Sequence, residues 1–332
     1  MLSTVRIGMV GAGAVAACHV RVLLAMDGVE LAAGADPALE RAKELAAEAG
    51  AAVYPNHMEL LEAERLDAVY ICVPPFAHGA PELAVIDAGL PMFVEKPVAI
   101  DQETAAGIAA RLAGTSLVTC TGYHWRWLDI FDRAAELLAD RPPRLVQCSW
   151  LDKVPPPAWW LRRDGSGGQV IEQTTHVLDT ARGLAGEVTE VHALGTGGAA
   201  ASTEAALPAA DIHDVSVATL RFASGAVGTV ASTCLLPRLH RAGVQVVADG
   251  LSLELSETEL LVELDGRRTD YRAGADARPR PDRDFVAAVR GGPDRIRVPW
   301  AEAYRTHLLA CAITRSAEER RPLAVTNGDG HG

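Results

Sequence analysis

Lysine is nearly missing from this chain. Of its 31 lysine and arginine residues, only Lys43, Lys96 and Lys153 are lysine. Positive charge is short overall: 43 acidic residues set a formal net charge of −12. No basic stripe runs along any segment, which argues against nucleic acid as a partner. Long apolar runs are absent as well. No stretch reaches the ~20 residues that span a bilayer, so no membrane partner is expected. The amino terminus lacks a basic segment followed by an apolar run and a small-residue cleavage site, so no signal peptide is expected. The six cysteines are scattered without a C-x-x-C pair, several of them in apolar strand-like runs. They read as reduced core thiols in a cytoplasm, and no metal site is expected. What remains is 332 residues, 49% hydrophobic and 22% charged, without internal repeats. That is an ordinary globular composition, long enough for about two domains.

Scarcity makes Lys96 conspicuous. Met92-Phe93-Val94 is a short apolar run, the mark of a strand buried on both faces of a parallel sheet. Pro97 ends it, because proline cannot donate to the ladder. Glu95 and Lys96 are thereby held at the carboxyl end of a buried strand, the edge where open α/β sheets bind ligands. A half-buried lysine can have its pKa lowered and exchange protons, which an arginine cannot. On these residues alone, a structural Glu–Lys pair is an equal alternative.

Upstream, 5–10 reads as a first strand running into Gly11-Ala12-Gly13-Ala14-Val15-Ala16, a G-x-G-x-x-A turn, and a helix over 15–26. Glycines there permit a tight turn and let backbone N–H groups approach a pyrophosphate. A second strand over 29–35 ends at Asp36, placed to accept hydrogen bonds from an adenine-ribose hydroxyl and to repel a 2′-phosphate. NAD is therefore favoured over NADP, with Arg41 as a reservation. Asp36 can also cap a helix over 37–49. The alternation continues: strands near 52–53 and 68–73, a helix over 78–88, the 92–94 strand, a helix over 102–113 and a strand over 116–121. This predicts a doubly wound parallel sheet. Pro74, Pro75 and His78 would line the cofactor cleft, although His78 also suits a plain helix start.

Near Gly122 the pattern changes. A helix over 129–139 is followed by strand-like runs at 144–151, 188–194, 214–222, 226–234, 243–248, 251–255, 260–264 and 267–271. Turns at Ser224-Gly225 and Asp265-Gly266 predict hairpins. The second domain is therefore α+β, with a large open, mainly antiparallel sheet whose bare face is a candidate oligomer interface. Helices over 282–290 and 301–319 close the chain. The domains are expected at 1–122 and 123–326, with a disordered tail at 327–332 and a mobile loop at 195–210.

A second chemical cluster lies on a helix over 169–184, after Gly165-Ser166-Gly167-Gly168. Glu172, His176 and Asp179 stand at i, i+4 and i+7, one helix face. An acid and an imidazole behind a glycine-lined approach suit proton transfer, although a core histidine or a surface aspartate would look the same. Five of the six tryptophans fall between Trp125 and Trp160. Aromatic faces stack on sugar rings, and Trp159 and Trp160, after three prolines, are expected to wall a pocket.

Together, the G-x-G-x-x-A turn, Glu95-Lys96-Pro97, Tyr123-x-x-Arg126 and Gly167-Gly168 with Glu172-x-x-x-His176-x-x-Asp179 resemble the Gfo/Idh/MocA family (glucose–fructose oxidoreductase, inositol dehydrogenase, rhizopine catabolism). The resemblance implies a Rossmann domain plus an open-sheet domain, homodimers or homotetramers, and NAD(P). It implies a dehydrogenase acting on a sugar, a cyclitol or a derivative. Lys96, His176 and Glu172 would be catalytic. Gly11, Gly13, Ala14, Val15, Asp36, Pro74, His78, Glu95 and Lys96 would hold the cofactor. Tyr123, Arg126, Trp159, Trp160, Glu172 and His176 would hold the substrate, and Pro97 would follow a cis bond. The chain departs from the family pattern at Glu172 (usually aspartate), at Thr174 (usually glycine) and at Tyr123-His124-Trp125-Arg126-Trp127 (usually Tyr-Asn-Arg-Arg-Phe). Two other readings stay open: transient oxidation by retained NAD assisting elimination or glycoside cleavage, and a catalytically silent dinucleotide sensor.

Overall fold

The computed structural model describes residues 4–198, 210–275 and 277–326. It divides into two units: Met1–Ala99 with Glu103–Gly122 and Arg278–Ala303, and Ile100–Gln102 with Tyr123–Ala277 and Tyr304–Gly332.

The first unit alternates β1 (Val5–Val10), α1 (Ala14–Leu24), β2 (Val29–Ala35), α2 (Leu39–Ala47), β3 (Ala52–Tyr54), α3 (His57–Ala63), β4 (Ala68–Ile71), α4 (Ala80–Asp87), β5 (Met92–Val94), α5 (Gln102–Leu112) and β6 (Thr119–Thr121). The six strands pair in parallel, in the order β3-β2-β1-β4-β5-β6. Strand order reverses between β1 and β4, and the carboxyl ends there are the ligand edge of such a sheet. β4 and β5 are buried throughout, as their unbroken apolar runs require. Helix α3 has no counterpart in the sequence reading. It is seven residues long, and its start is marked by Asn56, whose side chain accepts from Glu59 N.

A simple split after Gly122 places all later residues in the second domain. The structure instead returns Arg278–Ala303 to the first unit. Thr121 N donates to Val298 O (2.9 Å) and Trp300 N to Thr119 Oγ1 (3.0 Å). Phe285, on α9 (Arg280–Val289), packs edge-on against Tyr70 and Phe93. These contacts join residues far apart in sequence, so no local signal announces them.

The second unit is built on a nine-stranded sheet. Its strands are β7 (Leu145–Leu151), β8 (Val188–Gly197), β9 (His213–Phe222), β10 (Val227–Thr233), β11 (Arg241–Ala248), β12 (Leu251–Leu255), β13 (Glu259–Leu264), β14 (Arg267–Arg272) and β15 (Leu323–Ala324), ordered β14-β13-β12-β11-β7-β10-β9-β8-β15. Only β7 and β10 pair in parallel. Both expected hairpins form, β9–β10 and β13–β14. Asp265 (φ 49°) and Gly266 (φ 75°) carry the two positive φ angles of a type I′ turn. Helices α6 (Asp129–Leu138), α8 (Thr175–Ala185) and α10 (Trp300–Glu319) supply Phe131, Val177, Leu178, Leu309 and Ile313 to a core shared with Val146, Val230 and Val246. The other face of the sheet leaves Leu194, Val217 and Val227 half exposed. Between β7 and α8 lie the four-residue helix α7 (Arg163–Ser166) and a π-helical turn, Val170–Thr174. Of the expected mobile loop, the first residues belong to β8, and 199–209 lie outside the described residues, as does the 327–332 tail.

Candidate active site

The glycine turn is where β1 meets α1. Gly11 has φ +91°, and a Cβ built there would stand 2.3 Å from the carbonyl oxygen of Cys72. Only glycine lets β1 and the end of β4 approach this closely. Gly13 is the opposite case: a Cβ there meets nothing within 4 Å. Gly13, Ala14 and Val15 are exposed, and α1 begins with no side-chain capping bond and no acidic residue in its first turn. An open, positively polarised helix end of this kind suits a pyrophosphate. Asp36 ties the turn to β2: Oδ2 accepts Ala12 N (2.9 Å) and Oδ1 accepts Ala38 N (2.8 Å). Each carboxylate oxygen has a further lone pair for a ribose hydroxyl. These residues fit a dinucleotide. Asp36 does not cap α2, which starts at Leu39 after an uncapped Ala38.

At the end of β5, the Lys96–Pro97 peptide is cis, and both Glu95 and Lys96 are half-buried. Glu95 is anchored. Its Oε1 is 3.0 Å from His19 Nε2, and its Oε2 accepts the Lys96 backbone N–H (3.1 Å). A Cβ on Gly122 would fall 2.1 Å from Glu95 Oε1, so the carboxylate lies directly on that glycine. The other nitrogen of His19, Nδ1, is 2.6 Å from Asp282 Oδ1. One imidazole on α1 thus bridges two carboxylates, among the rings of Tyr70 and Phe93. Burial, the largest influence on His19, would lower its pKa. The hydrogen bonds and charges of Asp282 and Glu95 outweigh it and raise the pKa to about 10. His19 is therefore an imidazolium at neutral pH. His78 is a correction: its side chain is fully buried and its Nδ1 sits 2.5 Å from Glu82 Oε1, closing the start of α4. A buried helix-start ion pair cannot line an open cleft.

In the second unit, His176 stands at the start of α8 in an aromatic box. Trp150 and Trp125 lie nearly parallel to its ring (5.7 and 6.2 Å, both 19°), and Tyr123 and His124 meet it edge-on (5.9 and 5.4 Å). The tryptophans at 125 and 150 are therefore packing partners of the imidazole. One turn earlier, Glu172 Oε2 accepts the indole N–H of Trp160 at 2.7 Å. Trp160 is buried with Leu161, Ile212 and Cys234, so its role in this structure is to hold Glu172, whereas Trp159 is half-buried. The glycines matter for the same loop: a Cβ at Gly165 would stand 2.2 Å from Trp159 O.

Glu172, His176 and Asp179 do not share one environment, because the chain runs as a π turn before α8 and changes phase. Asp179 is 1% exposed and pairs with Arg126 (Nε to Oδ2, 2.7 Å; Nη2 to Oδ1, 3.2 Å), while Thr306 Oγ1 donates to Oδ1 (2.9 Å). Arg126, expected to hold substrate, is tied to Asp179 and lies over the Phe131 ring. Tyr123 is fully buried, and its hydroxyl is 2.7 Å from Thr175 Oγ1. In both cases a neighbouring polar group holds the side chain that the motif supplies. Sequence reasoning missed His19, Asp282, His124 and Glu257. The available signal for His19 was a histidine on the inward face of α1; the others are reached only through tertiary contacts.

The comparisons agree with this geometry. Residues 5–123 match the oxidoreductase family model described as an NAD-binding Rossmann fold, and residues 142–254 match that family's carboxyl-terminal domain. Myo-inositol 2-dehydrogenase of Thermotoga maritima is 28% identical over 229 residues, 68% of this chain and 67% of the relative. The scyllo-inositol 2-dehydrogenase (NAD(+)) of Bacillus subtilis is 26% identical over 248 residues, 73% of this chain and 71% of the relative. In fold, the chain is similar to levoglucosan dehydrogenase in complex with NADH and levoglucosan, with a TM-score of 0.87 at 20% identity, covering 98% of this chain and 100% of that one. With its dinucleotide turn and its sheet domain matched to the two models of one family, the chain belongs to the Gfo/Idh/MocA oxidoreductases, whose amino-terminal domain is an NAD-binding Rossmann fold.

Proposed function

We propose that this protein is an NAD-dependent dehydrogenase that interconverts a ring hydroxyl and a ketone on a cyclitol, a sugar or a sugar derivative. The observation that carries this is His176, a buried imidazole beside the stacked Trp125 and Trp150 and one turn from an anchored carboxylate, in a chain whose other unit presents an open dinucleotide turn. NAD, when bound, supplies the hydride acceptor. The N–H groups of residues 13–15 would hold its pyrophosphate, and Asp36 would accept from its ribose and repel a 2′-phosphate.

His176 takes the proton of the substrate hydroxyl as general base. Lys96 is the cation that favours the developing alkoxide and orients the oxygen. Glu172, fixed by Trp160, accepts a neighbouring hydroxyl and sets which ring substituent can sit there. Trp150 and Trp159, both half-buried, offer apolar surface to a ring, while the buried Trp125 packs behind His176. The bare face of the nine-stranded sheet, with Leu194, Val217 and Val227, is read as the contact of a homodimer or homotetramer. A cytoplasmic location is proposed on six free thiols, of which Cys72, Cys120 and Cys148 are pushed up in pKa by burial. Among the described residues no helix is long and apolar enough to cross a membrane.

The test is a panel of polyols and sugars (myo-inositol, scyllo-inositol, levoglucosan, glucose, a nucleotide-linked sugar) with NAD and NADP, followed at the nicotinamide absorbance band. Turnover with NAD is expected for at least one. H176A and K96A should keep NAD(H) binding while losing turnover by about 10²–10⁴-fold. Wild-type turnover in either variant removes that residue from the mechanism, and no turnover across the panel counts against the dehydrogenase reading.

A further inference from the structure

His176 is 8% exposed. A base this deeply placed that takes a proton in each turnover must return it to solvent. Four rings surround it. Trp125 and Trp150 present their faces, and Tyr123 is fully buried with its hydroxyl bonded to Thr175. The fourth is His124, which meets His176 edge-on at 74°, with centroids 5.4 Å apart. At that separation the edge of one ring is in direct contact with the other. His124 differs from the other three rings in having ring nitrogens that can both accept and donate a proton, and in being a quarter exposed. Its Nε2 is 2.9 Å from Glu257 Oε1, in the turn between β12 and β13, and the Glu257 side chain is 31% exposed. The order His176, His124, Glu257 therefore runs from buried to solvent-facing within one unit. Glu172 Oε2 is bonded to the buried Trp160 indole, and Asp179 is held by Arg126 and Thr306.

We propose that His124 and Glu257 form the proton exit of His176. This rests on His176 being the base. In the oxidative direction, the substrate O–H bond breaks and its proton binds the His176 imidazole, while the hydride leaves the carbon for NAD. The His176 imidazolium then loses that proton to His124. His124 passes it to Glu257, which releases it to water and buffer. Both imidazoles end neutral, and one proton leaves per hydride transferred. In the reductive direction the same groups bring the proton in. The charged groups around this path are Glu172 on the π turn, Asp179 with Arg126 beside α8, and Glu257.

The experiment compares wild type, H124N, E257Q and H176A with the best polyol of the panel above, in dilute buffer and with added imidazole. Asparagine keeps a polar group at 124 but cannot carry a proton. H124N should lower kcat on the order of tenfold or more, with NAD(H) binding and thermal midpoint unchanged, and free imidazole should restore turnover saturably. E257Q should show a smaller loss, also rescued. A loss without rescue assigns His124 a merely structural role and overturns the relay. Unchanged kcat in H124N does the same. If H124N does not fold, an unchanged or unrescued E257Q overturns it. The outcomes separate the two assignments: inactive H176A beside normal H124N removes only the exit, whereas wild-type turnover in H176A removes the base and the exit together.

Discussion

Replacing Asp282 by asparagine isolates the charge that holds His19. The side chain keeps its shape and an acceptor for Nδ1 but loses its negative charge. His19, buried beside Asp282 at 2.6 Å and Glu95 at 3.0 Å, has its pKa raised from 6.5 to about 10. That gap corresponds to a ceiling of about 5 kcal/mol of folding free energy below pH 6.5, and about 4 kcal/mol at pH 7. Asp282 is the nearer partner and makes the stronger hydrogen bond, so D282N should cost about 3 kcal/mol at pH 7, the lower end for breaking a buried pair. The pH dependence fixes the cause. A raised folded-state pKa means the contribution is complete below pH 6.5 and is lost as pH rises through about 10. In D282N the imidazolium is weakly held, so the folded variant releases its proton earlier. The gap between wild type and D282N should therefore narrow by up to about 1.4 kcal/mol per pH unit between pH 8 and 10. Urea unfolding at pH 7, 8.5 and 10, followed by circular dichroism, measures it. A gap that stays constant over that range would mean His19 is not the charged partner.

Other perturbations test other parts. G11A places a methyl 2.3 Å from Cys72 O at φ +91°; it should abolish NAD binding or soluble folding, read by calorimetric titration of NAD and expression yield. W160F keeps the apolar bulk but removes the N–H to Glu172 (2.7 Å); KM for the polyol should rise about tenfold or more, the worth of one charge-assisted hydrogen bond, with KM for NAD unchanged. D179A leaves Arg126 without its buried partner and should cost about 3–5 kcal/mol, seen as a lower thermal midpoint. D36S should narrow the NAD preference over NADP, measured as a ratio of kcat/KM values.

Much of the architecture was legible because its signals are local. Unbroken apolar runs at 68–71 and 92–94 mark parallel strands buried on both faces, whereas alternation at 214–222 marks a one-faced antiparallel strand. Glycine and Asp-Gly turns carry their conformation in their chemistry, so β1–α1 and the β13–β14 hairpin were readable in advance. Helix α3, seven residues long, and β15, two residues long, fall below what a periodic pattern can reveal.

The candidate site divides along the same line. Sequence alone determined which residues are the candidates: a dinucleotide turn answered by Asp36, one conspicuous lysine at a strand end, and an acid and an imidazole on one segment. Tertiary structure alone decided what each is free to do. A π turn separates the phase of Glu172 from that of Asp179, and Asp179 holds two nitrogens of Arg126. Residues 263 apart in sequence make His19 an imidazolium, and residues 133 apart put Glu257 on His124. The reason is physical. Backbone preference and hydrophobic period are properties of neighbouring residues, whereas the charge state and hydrogen-bond partner of a buried side chain belong to whatever the fold packs against it.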